Sequence, residues 1–539
     1  MPKGRASLAT PVLVAGGGPV GLATAMELAH HGIESVVIER REEVSWLRPR
    51  AKTTSARTME HFRRWGLADA LRARAPIPVA WSDQAVFCTS LLGREITRFD
   101  RCFGLDLAGS DLASEPGQQV AQPVVEQLLR EAVVATGAVT FLAGADVVAA
   151  GQDHDGAWAD VAIRGEPARR ITAEFVIGCE GARSVVREAI GSRYAGNDDP
   201  RPNLNVIFRA PGLAERVTHG PAVHYWVLDT AHPGLIGRLD LGDTWWCIAQ
   251  GVDASAGDVH PERIVATLVG ADIAVEVLAT DAWRARMLLA DSYGRGRLFI
   301  AGDAAHQNPP WGGHGFNTGV GDAVNLGWKL AATIQGWGGP YLLDSYEAER
   351  RPVAQRTIDE AARNMETLSP ELSDPALGGT DEEFDAVRPA VADAIHLNKD
   401  SEFHSLDLTL GYQYRGSPIV LAERSTERLE PAGEPGRRLP HRWLGVADSL
   451  YDHLGRDFTL LGDVESADAR GIVDACKAAR VPLTTFGLAE ADRRALLGAP
   501  LSLVRADQHV AWRGGDATGA RSVVGCVTGF GCGSFSGSA

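Results

Sequence analysis

Val12-Leu13-Val14-Ala15-Gly16-Gly17-Gly18-Pro19-Val20-Gly21 is an apolar strand running into a glycine turn that opens a helix. Working outward, the helix extends from about Gly18 to His31, and Gly32 caps it. Ser35-Val36-Val37-Ile38 forms the next strand, with Glu39 at its end. Gly16 permits the tight turn, Gly18 lets backbone approach a pyrophosphate, and Gly21 lets helix and strand pack closely. The helix N-terminus, entered through Pro19, turns unpaired N–H groups toward the phosphates. Glu39 stands where a carboxylate accepts hydrogen bonds from adenosine ribose hydroxyls. The unit predicts a β-α-β dinucleotide fold without saying which dinucleotide. Pro11 to Met26 carries no charge and mimics a membrane span, but its glycine cluster and Glu27 fit strand, turn and helix.

A second segment separates a flavin from a nicotinamide. Leu298-Phe299-Ile300-Ala301-Gly302-Asp303-Ala304-Ala305-His306 continues through Pro309-Pro310 to Gly313, Gly315, Phe316, Asn317 and Gly319. Asp303, after an apolar strand, offers a carboxylate to a polyol such as a ribityl chain. The glycine-rich stretch from Gly312 to Asn317 leads into a helix, whose first N–H groups stabilise negative charge on a reduced flavin's pyrimidine side.

Between these segments, helical periodicity begins near Thr58, with a short second helix at Leu67 and Leu71. A further helix covers Val124 to Ala135, and strands are expected at Val139–Leu142 and Phe175–Gly178. From Asn203 to Ala249 short, alternating, aromatic-rich segments predict an inserted antiparallel sheet that binds substrate. His224, Tyr225, Arg238 and Trp246 are its candidate pocket residues. After the second segment, helices are expected from near Asp322 and from Leu343 to Met365. Gly378-Gly379 and the acidic run near Asp381 read as a surface loop. Beyond Arg424 a Pro/Gly-rich stretch (Pro431 to Pro440) precedes β-α-β texture from Phe458 to Trp512, and the Gly/Ser-rich end reads as disordered.

Composition narrows the setting. The chain has 539 residues, 45% hydrophobic and 23% charged, which suits a soluble protein of two or three domains. A net charge of −16 argues against nucleic acid and anionic membranes as partners. Seven scattered cysteines without Cys-x-x-Cys spacing suggest neither a disulfide framework nor a zinc site, and no metal is expected. No signal peptide precedes the first strand, and a cytoplasmic location is expected.

The run Gly302-Asp303-Ala304-Ala305-His306 through Pro309-Pro310, Gly312-Gly313, Gly315, Asn317, Gly319, Asp322-Ala323, Asn325-Leu326 and Trp328-Lys329-Leu330 resembles the single-component FAD-dependent aromatic hydroxylases, the para-hydroxybenzoate hydroxylase-like monooxygenases. Arg48-Pro49-Arg50-Ala51 with Ala56-Arg57-Thr58-Met59-Glu60 resembles the family segment lying over the flavin. Gln122 with Glu126 and Leu129, and Tyr346-Glu347 with Glu349-Arg350-Arg351-Pro352, resemble two of its helices. Leu503-Val504-Arg505 with His509-Val510-Ala511-Trp512 is similar to the thioredoxin-like C-terminal domain of the phenol and polyketide hydroxylase branch.

The resemblance implies an α/β fold: a Rossmann-like FAD-binding domain (1–195 and 291–400) with an inserted, mostly antiparallel β substrate domain (196–290 with part of 75–120). A linker (401–424), a thioredoxin-like domain (425–530) and a disordered tail (531–539) follow. It implies FAD, NADPH or NADH as electron donor, O2, a flavin hydroperoxide, a phenolic substrate and a homodimer. It adds Arg40, Gln122 and Val147 to the cofactor set, and assigns Arg50 and Pro310 to positioning the flavin. The general base is unnamed. One departure stands out: Cys179-Glu180-Gly181-Ala182-Arg183-Ser184-Val185-Val186-Arg187 carries Glu180 where the family has aspartate. A methylene shift of that carboxylate perturbs a hydrogen bond worth about 1 kcal/mol. His306 reads as ordering the loop beside the flavin, and Arg183 and Arg187 as candidates for NADPH phosphates.

Overall fold

The computed structural model describes residues 9–531 except 49, 164, 231–232, 258, 367–371, 422–432 and 517. Strand Ala9–Ala15 has parallel neighbours on both sides, Ser35–Glu39 and Arg169–Gly178. Val12, Leu13, Val14 and Ala15 are 0% exposed, which is why apolar residues run there without alternation. The sheet continues through Val139–Ala143 on one side and Leu298–Ile300 on the other. The chain therefore leaves the first strand toward one edge and returns later on the other. The carboxyl end of Ala9–Ala15 is a topological switch point, where open α/β sheets bind ligands. The Gly16–Gly21 turn lies there.

Helix Pro19–His30 packs along helix His314–Ile334, which joins the two glycine segments in space. The second helix starts at His314 rather than near Asp322. Its glycines lower intrinsic propensity, but they permit contact that larger residues forbid. A Cβ on Gly319 would stand 2.5 Å from Val20 Cγ2, and one on Gly327 would stand 2.6 Å from Glu27 Cγ. Tertiary packing overrides local preference.

The aromatic-rich region forms an eight-stranded sheet that also takes in Ala85–Cys88 and Glu95–Phe99. Its named pairs are antiparallel except His224–Val227 beside Ala85–Cys88. Helix Pro261–Val269 covers one face and helix Asp381–Phe403 the other.

That last helix corrects the loop expected near Asp381. Asp381, Glu382 and Glu383 are its first turn, placed against the positive end of the helix dipole. Glu383 Oε2 accepts from Thr380 N at 2.7 Å while Thr380 Oγ1 accepts from Glu383 N at 3.4 Å, a capping box. Thr380→Ala is expected to remove about 1 kcal/mol of stability. Thermal unfolding reads this, and an unchanged midpoint refutes the cap's contribution.

In the C-terminal region, Phe458–Gly462 and Leu483–Gly487 pair in parallel around helix Ala467–Ala478. Leu501–Val504 and Val510–Gly514 add an antiparallel hairpin. Its core is continuous with Trp328, Ala332, Trp337 and Leu342 of the preceding region. Pro49, Pro431, Cys532 and the expected tail beyond 531 lie outside the described residues. No helix among the described residues is long and apolar enough to cross a membrane.

Candidate active site

The glycine turn is shaped by backbone, and one face of it is open. Gly16 has φ +100°, and a Cβ there would stand 2.4 Å from Cys179 O. Gly18 has nothing within 4 Å of its Cβ position, and helix Pro19–His30 has no side-chain cap at that end. Glu39 Oε2 accepts from Gly17 N at 2.9 Å, and Oε1 from Arg41 Nε at 2.8 Å. Arg41 also donates to Glu126 Oε1 at 2.6 Å. Gln122 lies one turn before Glu126 on the helix Gln122–Ala135, and accepts from Ala51 N at 3.4 Å. Val147 is buried in strand Ala145–Gln152, whereas Arg40 is exposed. Arg41, not Arg40, makes the ion pairs at this end.

At the other end, Asp322 is the hub. It is 0% exposed and accepts from Gly302 N at 3.1 Å and Arg350 Nε at 2.8 Å, with His306 Nε2 at 2.8 Å. These contacts hold His306 as a loop-ordering residue. Asn317 Oδ1 accepts from Ser55 N (2.9 Å) and Thr58 Oγ1 (2.8 Å), and its amide donates to Gly313 O at 2.8 Å. Gly313, at φ +68°, and Gly315 bracket the uncapped N-terminus of helix His314–Ile334, and Phe316 packs on the main core. Pro310 and Arg50 are exposed, and an Arg48–Asp281 ion pair of 2.6 Å ties the segment that carries Arg50 to the large sheet.

Asp303 is accessible yet enclosed by protein, so it lines a recess; burial raises its carboxyl pKa, against His306 and Arg50. The carboxylate accepts no hydrogen bond from the described residues. A free carboxylate at one end, open space at Gly18 and two uncapped helix N-termini fit FAD. Asp303 would hold the polyol, and the Gly18 turn the pyrophosphate.

Glu180 has a different task. Its Oε2 accepts from Ser184 Oγ at 2.6 Å and its Oε1 from Val186 N at 3.2 Å, so it serves the start of helix Val185–Ile190. Burial pushes its carboxyl up to about 7, opposed by the Ser184 and backbone hydrogen bonds. Arg187 is turned inward, donating to Tyr194 Oη at 2.7 Å, while Arg183 is exposed.

On the substrate side the pleat separates the four candidates. His224 and Trp246 face helix Asp381–Phe403. Tyr225 and Arg238 face the opposite way: Tyr225 Oη donates to Gly220 O at 2.6 Å, and Arg238 to Gly242 O at 2.6 Å, stacking over Trp245. Successive strand residues point to opposite faces, so His224 and Tyr225 cannot share a pocket. Around His224 pack the rings of Phe103, Phe403 and Trp246, with centroids at 5.7, 5.9 and 6.3 Å. Burial, with Lys52 and Lys399 nearby, pushes His224 down to about 3. It is neutral and accepts from Trp226 Nε1 at 3.1 Å, which leaves the ring hydrogen on Nδ1.

Three charged residues here escaped the sequence reading. Lys52 Nζ lies 4.3 Å from the Trp246 ring centroid. Lys399 donates to Asn364 O at 2.6 Å and to Glu402 Oε2 at 3.1 Å, both side chains buried. Lys399 and Glu402 sit on the helix whose start read as a loop.

Comparison with known proteins agrees with this construction. Residues 9–361 match the family model described as FAD binding domain, and residues 432–528 that described as aromatic-ring hydroxylase, C-terminal. The FAD-dependent monooxygenase apdD of Emericella nidulans is 32% identical, aligning 93% of this chain with 87% of that protein. The 4-methyl-5-nitrocatechol 5-monooxygenase of a Burkholderia species is 31% identical over 94% of each chain. The rebeccamycin biosynthetic enzyme RebC, with reduced flavin, superposes at TM-score 0.90 and 33% identity, covering 97% of this chain and 100% of that one. Aklavinone-11 hydroxylase, solved with FAD and aklavinone, gives 0.81 and 27%, over 96% and 99%. With both halves of the fold matched, the chain belongs to the FAD-dependent aromatic-ring hydroxylases, a family of flavoprotein monooxygenases.

Proposed function

We propose that this monooxygenase hydroxylates a phenolic ring, on a single-ring or polyketide-type aromatic, using NADPH or NADH and O2. The observation that carries the reading is the cluster of aromatic rings formed by Phe103, His224, Trp246 and Phe403, set between the large sheet and the helix that covers it. Bound FAD supplies the redox chemistry. The chain's own residues orient and enclose: the flat rings stack on an aromatic substrate, and helix Asp381–Phe403 keeps water from that face of the sheet. His224, neutral with Nδ1–H free to donate, can hydrogen-bond a substrate oxygen. The relatives' names, a nitrocatechol monooxygenase and an aklavinone hydroxylase, support an aromatic hydroxyl compound. Arg50 and Pro310 are read as flanking the flavin ring, and the C-terminal region as a thioredoxin-like packing module. The net charge of −16 supports the absence of nucleic-acid and membrane partners, and a cytoplasmic homodimer is the expected setting.

A panel of phenols should stimulate NAD(P)H oxidation by the FAD-loaded protein, and product mass should show one added oxygen drawn from labelled O2. Ring expansion instead of hydroxylation, or no phenol that stimulates turnover, overturns the reading.

A further inference from the structure

We propose that Lys52 is the substrate-binding residue that holds the ionised oxygen of the aromatic substrate, so that the pocket takes phenols as phenolates. The inference rests on the hydroxylase reading above and names what that site binds.

Lys52 belongs to the segment that links the flavin end to the sheet. Its neighbour Thr53 offers a carbonyl to Asn317 Nδ2 at 3.3 Å, and a Cβ on Gly313 would stand 2.6 Å from Thr53 Oγ1. On the sheet side, Lys52 Nζ stands 4.3 Å from the centroid of Trp246, the ring that also meets His224. The ammonium therefore stands over the Trp246 ring, on a segment whose next residue reaches the start of helix His314–Ile334.

Among the described residues its surroundings lack an anion. The hydrogen bond found for Lys52 Nζ is a long one, 3.4 Å to Arg50 O on its own segment. From strand Thr244–Gln250 it faces Trp246, while Cys247, on the other face of that strand, has a buried thiol pushed up to about 12 and is un-ionised. From strand His224–Val227 it faces His224, which is neutral. Helix Asp381–Phe403 brings Lys399 near His224, where it pairs with Glu402 of the same helix. No carboxylate is paired with Lys52 among the described residues. The two fully buried lysines differ on this point: Lys329 pairs with Glu349 at 2.7 Å and Lys399 with Glu402 at 3.1 Å. The chain uses only five lysines among its 53 Lys and Arg residues, which makes each of these positions a departure from its preference for arginine. A half-buried ammonium left unpaired over an aromatic ring is completed by an anionic ligand.

Enclosure also pushes the Lys52 amine down to about 8. Near that pH a fraction is free amine, able to accept the phenol's proton. The phenolic O–H bond breaks, an N–H bond forms at Nζ, and an ammonium–phenolate pair remains. The ring is then more electron-rich toward an electrophilic oxygen, which is what a general base contributes here.

The test uses FAD-loaded protein and two phenols whose colour reports ionisation, 4-nitrophenol and the polycyclic alizarin, with their O-methyl ethers as un-ionisable controls. Wild type is expected to bind at least one phenol in its ionised colour at a pH where the free compound is neutral. Lys52→Met should weaken phenol binding by about tenfold or more, equivalent to about 1.4 kcal/mol, while ether binding and FAD content stay as in wild type. Lys52→Arg should bind phenolate yet lose the acceleration of turnover on the alkaline side, because a guanidinium does not accept the proton. Binding of the phenols only in neutral colour overturns the proposal on wild type alone, whatever the variants do. So does failure of wild type to bind either phenol, or equal loss of phenol and ether in Lys52→Met. If phenols are hydroxylated and Lys52→Met binds them as wild type does, the Lys52 assignment fails while the hydroxylase reading stands.

Discussion

Arg505→Met is expected to remove about 3–5 kcal/mol of stability, the scale for stripping one partner from a buried ion cluster. Arg505 donates to Glu349 Oε1 at 2.6 Å and Oε2 at 2.8 Å, and to Asp507 Oδ1 at 3.0 Å. Glu349 also accepts from Lys329 Nζ and Asn325 Nδ2, each at 2.7 Å, and from Ser417 Oγ at 2.6 Å. Two cations and two carboxylates thus balance inside the protein. Without the guanidinium, Glu349 and Asp507 share a single ammonium in a medium that solvates them poorly. The desolvation penalty, not the lost attraction, sets the size of the effect.

The pH dependence gives this prediction a second readout. The cluster holds Glu349 down to about 2 from its ordinary 4.5: burial opposes the shift, but Arg505 and Lys329 outweigh it. A depressed carboxyl contributes stability that is present above about 4.5 and is lost as pH falls through about 2. The gap between wild type and Arg505→Met should therefore be full at neutral pH and narrow below about 4.5. Scanning calorimetry at several pH values measures it, with equal scan rates because a chain of this size often unfolds irreversibly. Equal midpoints at neutral pH, or a gap that widens in acid, contradict the argument.

This cluster also explains how the C-terminal region serves the flavin end. Asn325 and Lys329 lie on helix His314–Ile334, whose first turn carries Asn317, while Arg505 and Asp507 lie between strands Leu501–Val504 and Val510–Gly514. Arg57, on helix Ala56–Arg64, donates to Gln508 Oε1 and Asp507 O, both at 2.6 Å. The segment carrying Lys52 and Thr53 runs directly into that helix. Both elements proposed to frame the isoalloxazine, helix His314–Ile334 and the Lys52 segment, are thus fastened to the same C-terminal loop.

What the sequence revealed follows from the range of each signal. Strand, turn and helix at Val12–His30 were legible because the glycine spacing and the apolar run are local requirements of one turn. The helix start at His314 was not, since glycine argues for a loop until Val20 and Glu27 are known to press against positions 319 and 327. The acidic run at Asp381 was misread as solvated loop, although Thr380 and Glu383 carry the spacing of a capping box. On the substrate side, alternation alone separates His224 from Tyr225. The far-side position of Arg238 depends on its register beside Trp245, which only strand pairing reveals. Lys52 carried a weak signal, a rare lysine in an arginine-rich chain. Its meaning depends on a ring nearly two hundred residues away.

Gly18→Val is expected to weaken FAD binding by about a hundredfold or more, about 2.7 kcal/mol, while leaving the apoprotein's unfolding midpoint close to wild type. The two halves of that expectation come from one geometry. Gly18 has φ −72° and ψ 179°, ordinary extended backbone that valine adopts, and nothing lies within 4 Å of its Cβ position. The fold has no objection to a side chain there. The open space lies at the N-terminus of helix Pro19–His30, where the pyrophosphate needs direct access to backbone N–H groups. Gly16→Ala is the counterpart with the opposite division. At φ +100°, with Cys179 O 2.4 Å from the new methyl, the fold itself is strained, so apoprotein stability should fall by about 1–3 kcal/mol along with flavin content. Flavin fluorescence titration of apoprotein, paired with thermal unfolding of the same samples, separates the two. If Gly18→Val binds FAD as wild type does, the pyrophosphate does not cross this turn and the open face beside Gly18 has another purpose. If it destabilises the apoprotein as much as Gly16→Ala does, the glycine at 18 serves the fold and not the cofactor.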